Sequence, residues 1–134
     1  MGSIAPETVK ISVKFTLYAE PANVKMAREL TEVTLLHWAL PHLLADARLI
    51  VSELFTNALH AARGTDLRLL LTHEETAVRS GIWDPNPEPP IIGVCDPLEE
   101  SGRGLHIVAA LADDHGWHRV DSPPGKVVWA SLNI

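Results

Sequence analysis

The chain has 134 residues, 46% of them hydrophobic, which is enough for one sizeable core, and a single domain spanning residues 1–134 is expected. Its 17 acidic against 11 basic side chains leave a formal charge of -6, which excludes the basic footprint that sequence-independent nucleic-acid binding needs. A lone cysteine, Cys95, excludes an internal disulfide, no basic and apolar leader opens the chain, and no stretch reaches the roughly 20 apolar residues of a membrane span. The expected compartment is the cytosol, with neither a membrane nor a nucleic acid as partner.

Residues 9–18 alternate through Val9, Ile11, Val13, Phe15 and Leu17, the period of a half-buried strand. Residues 21–39 carry helical spacing from Pro21, a good first-turn residue, and Pro41 stops that helix. A longer helix over 43–63 has the apolar stripe Ile50, Val51, Leu54, Ala58 and Ala62 and leaves through Gly64. Residues 66–72 and 77–83 read as an antiparallel hairpin. Residues 84–104 hold five of the ten prolines and three glycines, too many for regular structure, and loops of that length are usually functional or disordered. A short helix over 105–112 and a last hairpin, 116–120 and 126–132 around the turn 122–125, complete the chain. That order fits an α+β fold, a two-layer α/β sandwich with a mixed, mostly antiparallel sheet and helices on one face.

Glu53 and Asn57 stand four apart on the long helix, so both project from one face beside the apolar stripe, and His60 extends the row. A carboxamide oxygen suits a hard cation, and a neighbouring carboxylate suits a proton acceptor; the same pair also reads as a solvated helix edge. Asp84 closes a strand where a side chain can reach a cleft and accept from an exocyclic amine, although Asp84-Pro85 also starts turns. Ser101-Gly102-Arg103-Gly104-Leu105 enters a helix, where free N–H groups and the helix dipole favour phosphate; alone, such a pair of glycines is more often a flexible hinge. His115 and His118 face opposite sides of a strand edge, Asp113 and Asp114 end a helix, and the four tryptophans fit core or edge positions.

Taken together, Glu53-Leu-Phe-Thr-Asn57-Ala-Leu-His60, Trp83-Asp84-Pro-Asn86, Ser101-Gly-Arg-Gly-Leu105 and Gly125-Lys126-Val-Val-Trp129-Ala resemble, in order and spacing, the nucleotide-binding boxes of the GHKL ATPase superfamily. The wording is most similar to the anti-sigma-factor serine kinases and the stand-alone regulatory ATP-binding proteins related to them, over nearly the whole chain. The resemblance implies the GHKL, or Bergerat-type, fold with ATP and Mg2+ as cofactors. It implies Glu53 as general base, Asn57 as Mg2+ ligand, His60 as a phosphate contact and Asp84 as acceptor for the adenine amino group. Asn86, Gly102, Arg103, Gly104 and Leu105 would line the nucleotide. Where the family has two glycines after the Asp, this chain has Asn86, which tolerates positive φ, and Glu88, which brings negative charge. The implied activity is phosphorylation of an anti-anti-sigma protein on serine and sequestration of a sigma factor, with a homodimer through the first strand or first helix. A non-catalytic interaction module on the same fold is the competing expectation, motivated by Asn86 and Glu88.

Overall fold

The computed structural model describes residues 10–90 and 104–134. The elements are β1 (Ile11–Tyr18), α1 (Asn23–His37), a 3-10 turn (Pro41–Leu43), α2 (Leu44–Ala62), β2 (Asp66–His73), β3 (Ala77–Asp84), α3 (Gly104–Leu111), β4 (Asp114–Asp121) and β5 (Pro124–Asn133). The five strands form one sheet in the order β1-β2-β3-β5-β4. Every pair is antiparallel, so the expected mostly antiparallel sheet is antiparallel throughout. The chain is thus an α+β fold with the layout of a GHKL-type two-layer sandwich.

Strand parity decides which side chains meet the helices. Leu67, Leu69 and Leu71 of β2 pair with Leu17, Phe15 and Val13 of β1. Ile82 and Ser80 stand opposite Leu69 and Leu71, and in turn opposite Val128 and Ala130 of β5. Against this face α2 lays Ile50, Val51, Leu54, Phe55 and Ala58, each at most 1% exposed. Burial of a side chain such as Leu54 or Phe55 contributes about 1.5–3 kcal/mol. Because α2 is apolar over so wide an arc, it accepts α1 along one flank and α3 along the other.

Element ends follow from local bonding. Pro21 and Ala22 precede α1, which begins at Asn23, whose Nδ2 donates to the Tyr18 carbonyl at 2.8 Å. The helix ends before Pro41 is reached: Leu40 N–H donates to Leu35 O and Ala39 N–H to Leu36 O, a Schellman motif with Ala39 at φ 58°. Gly64, at φ 80°, supplies the left-handed residue after α2 as its position implied. The last hairpin is longer than its apolar pattern, pairing from Asp114↔Ser131 to Asp121↔Pro124 around the cis Ser122-Pro123 bond. Edge strand β4 tolerates polar Asp114 and His115 because they stay solvated, so alternation alone understated its length. Of the expected loop, residues 91–103 lie outside the described residues.

Candidate functional site

The last residue of β3 carries the most unusual side chain of the fold. Asp84 shares the inward parity of Ser80 and Ile82, and its cross-strand partner is Lys126 on β5. Both are buried, at 0% and 1% exposure. A buried ammonium is costly unless paired and hydrogen-bonded. Here Lys126 Nζ donates to Asp84 Oδ1 at 3.1 Å and to Asn86 O at 2.9 Å. Asn86 N–H also donates to Asp84 Oδ1, at 2.9 Å. Asp84 Oδ2, by contrast, is buried with no hydrogen-bond partner among the described residues. Burial raises the carboxyl above its ordinary value of 3.8, opposed by the bonds and charge of Lys126 and by the Asn86 N–H.

Gly125 makes that geometry sterically feasible. A Cβ there would collide with Asp84 O and stand 3.0 Å from Pro85 Cα, so the start of β5 can lie this close to the end of β3 only without a side chain. Asn86 then ties the segment after β3 to the helix layer. Its Nδ2 donates to Ala61 O of α2 at 3.0 Å, its Oδ1 accepts from Glu88 N–H at 3.0 Å, and Pro87 O accepts from Arg119 Nε of β4 at 3.0 Å. The only non-glycine residue at positive φ among those described is Ala39, so the expected left-handed role of Asn86 is corrected. Its contribution is side-chain hydrogen bonding, and Glu88 is exposed.

Asn57 precedes Ala61 by one helical turn on α2, on the face that meets Asn86. Its Nδ2 is buried and has no hydrogen-bond partner among the described residues. An unpartnered Asn57 Nδ2 on α2 and an unpartnered carboxylate oxygen at the end of the central strand β3 thus belong to residues on either side of Asn86, which bonds to Asp84 Oδ1 and to Ala61 O, one turn from Asn57. Buried polar atoms left this way, which among the described residues also include Arg28 Nε, Arg79 Nε and Trp83 Nε1, are individually costly, and these two have the chemistry to meet a ligand. Their chemistry fits a Mg-nucleotide: the carboxamide N–H suits a phosphate oxygen, its carbonyl a hard cation, and Asp84 Oδ2 an amine. Glu53 lies half-buried one turn before Asn57.

The other expected positions fall as follows. His60 is exposed and lines a cavity with Pro21, Leu59 and Arg63, on the side of α2 towards the start of α1. Gly104 opens α3, while Gly102 and Arg103 lie outside the described residues, as does Cys95. The half-buried Leu105 packs against the core and borders a cleft of about 140 Å3 with Pro90, His106, Val108, Trp117 and Val128. Asp113 accepts the Asn133 N–H at 2.7 Å and so stitches the start of β4 to the end of β5. Trp83 and Trp129 are stacked under Arg68 and Arg79, with guanidinium carbons 4.8 and 4.1 Å from the ring centroids. Among the described residues, no group of three or more His, Cys, Asp or Glu could hold a metal ion, and no helix is long and apolar enough to cross a membrane.

Sequence reasoning placed Asp84 but not Lys126 beside it. The signal was present: Lys126 shares parity with Val128, Ala130 and Leu132, so in a strand packed on helices it points inward. No curated protein matches the chain. A family model described as histidine kinase-like ATPase domain matches residues 17–132, from the end of β1 to the end of β5, and so encloses every residue of this site.

Proposed function

Because the chain belongs to the histidine kinase-like ATPase domain family, we propose that it is an ATP-binding regulatory protein whose nucleotide site lies between α2 and the end of β3, and that it works as a protein serine kinase and anti-sigma factor. What carries this reading is the pair of orphaned polar atoms, Asp84 Oδ2 and Asn57 Nδ2, on either side of the Asn86 bridge. Asp84 would accept the adenine amine, and Asn57 would meet the phosphates and Mg2+. Bound Mg2+ would neutralise charge on the phosphates. Glu53 would take the proton of a partner's serine hydroxyl as its oxygen bonds to the γ-phosphorus and the bond to the bridging β,γ-oxygen breaks, giving phosphoserine and ADP. An anti-anti-sigma protein as phosphoacceptor and a sigma factor as sequestered partner belong to the same proposal. So does a homodimer through β1 or α1, whose Ile11, Tyr18, Val33 and Leu36 are exposed apolar side chains.

One observation favours a second reading. Asp84 is fully enclosed, with Lys126 already on one oxygen, as expected of a module that keeps the fold for binding proteins and turns over little ATP. Calorimetric titration of ATP with Mg2+ separates the two. Saturable binding that weakens in both Asn57→Ala and Asp84→Asn supports the nucleotide site, and no binding at millimolar ATP leaves the non-catalytic module. With γ-labelled ATP and a serine-bearing partner, Glu53→Ala is expected to lower transfer by about 10^2–10^4 while retaining ATP binding.

A further inference from the structure

The face of the sheet turned away from α2 carries an arrangement that the nucleotide reading does not use. Strand parity puts Arg68, Arg79, Trp83 and Trp129 on that face, opposite in sense to Leu69, Ile82 and Val128. Each tryptophan lies across a glycine of the neighbouring strand: Trp83 Nε1 is 2.9 Å from where a Cβ of Gly125 would stand, and Trp129 Cζ2 is 3.1 Å from that of Gly116. With only backbone beneath them, the indoles lie close to the sheet. A guanidinium covers each ring, Arg68 Cζ at 4.8 Å from the Trp83 centroid and Arg79 Cζ at 4.1 Å from that of Trp129. The same stack of glycine, tryptophan and arginine is thus built twice. Arg79 stays open to solvent, with 43% of its side chain exposed, and its contact with Glu74 is a loose 3.8 Å. Lys14 of β1 adds another cation, across from Leu70 and two residues along from the partner of Arg68.

Arginine, lysine and tryptophan side chains donate hydrogen bonds and accept none, and Arg79 Nε and Trp83 Nε1 have no hydrogen-bond partner among the described residues. What fits this face must therefore supply acceptors and negative charge. A nucleic acid is disfavoured, because base stacking needs a bare ring face and each indole already carries a guanidinium. Lys14, Arg68 and Arg79 are also few beside the basic stripe that a phosphate backbone draws on. Carboxylates match the guanidinium fork, which takes them in bidentate pairs. Spacing narrows the partner further. Trp83 pairs with Val127 and Gly81 with Trp129, so the two indoles are diagonal neighbours, about 7–8 Å apart. An extended chain presents side chains on one face at every second residue, about 6.6 Å apart. Gly81, between Arg79 and Trp83 on β3, keeps the floor low where such a chain crosses. We propose that this sheet face docks an extended acidic segment of a partner protein, with Asp or Glu at alternate residues and the carboxylates held by Arg68 and Arg79. It lies across the sheet from α2, so the proposal stands apart from the nucleotide reading.

The test is fluorescence anisotropy of labelled probes titrated with the full chain at low ionic strength. The probes are a peptide with Glu and Thr alternating, a peptide of the same composition with Glu at every third residue, and oligothymidylate. The alternating peptide is expected to bind about tenfold more tightly than either of the others, because it alone sets neighbouring carboxylates on one face at the spacing of the stacks. Arg68→Gln and Arg79→Gln each remove that preference. Arg48→Gln, which removes an equal charge from the exposed side of α2, leaves it intact. Equal binding of the two peptides, binding of neither at millimolar chain, or tighter binding of oligothymidylate overturns the proposal. So does a preference that survives in Arg68→Gln or Arg79→Gln, folded by circular dichroism, or that is lost in Arg48→Gln. The comparison of probes on the wild-type chain decides even where a variant does not fold.

Discussion

At the scale of single residues, the fold concentrates its risk in one ion pair. Removing one partner of a buried pair strands the other charge, so Asp84→Ala is expected to lower unfolding free energy by about 3–5 kcal/mol, read from urea denaturation. The pH dependence has a definite sign. Burial raises the folded-state pKa of Asp84 above 3.8, so the folded state holds this proton more tightly than the unfolded chain. Its contribution to stability is therefore fully present below pH 3.8 and is lost as pH rises through the raised value. Urea midpoints of wild type against Asp84→Asn should show that decline in the wild type only. Gly125→Ala, whose Cβ would meet Asp84 O, should cost about 1–3 kcal/mol by the same measurement. Asp84 was legible in the sequence because an Asp ending an apolar strand before prolines is a local signal. Its partner, 42 positions on, was not, because the pairing depends on the register of β3 against β5. Asn86 was misjudged for a related reason: a turn residue suggests a backbone role, and only the approach of α2 turns its side chain into a bridge.

Among the elements, α2 was the most legible, its stripe giving 43–63 against an observed Leu44–Ala62. Ends were less so, since caps depend on single hydrogen bonds. The sequence pointed to Pro41 as the stop for α1, whereas the Schellman bonds at Ala39 and Leu40 end it first. Leu40 and Leu35, buried at 6% and 0%, make the hydrophobic contact that accompanies this cap. An alanine held at φ 58° is strained, and glycine is not. Ala39→Gly is therefore expected to stabilise the protein by up to about 1 kcal/mol, seen as a higher urea midpoint with unchanged slope. A drop in stability would mean that the methyl group matters more than the backbone.

For the whole molecule, element order was readable because hairpins and amphipathic helices announce themselves locally, and a two-layer sandwich follows from them. Strand order was not, since insertion of β5 between β3 and β4 is a long-range choice. A ligand that binds only the folded chain must stabilise it, so Mg-ATP at 100 times its dissociation constant should add about 2.7 kcal/mol, visible as a higher Tm. Three hydrogen bonds converge on the short stretch after β3: Lys126 to Asn86, Asn86 to Ala61, and Arg119 to Pro87, from β5, to α2 and from β4. In the proposed site a nucleotide has to reach Oδ2 of the enclosed Asp84, and any work of loosening the neighbouring chain is subtracted from affinity. Arg119→Ala, which cuts one of the three, is accordingly expected to tighten ATP binding in calorimetry. Thermodynamic reciprocity extends this to partners: a protein that draws Arg119 away from Pro87 raises affinity for the nucleotide, and the nucleotide raises affinity for that protein by the same factor. On the proposed reading, edge strand β4 would be wired through the Arg119–Pro87 bond to the base end of the site, so that what docks at the rim of the sheet would be felt at Asp84.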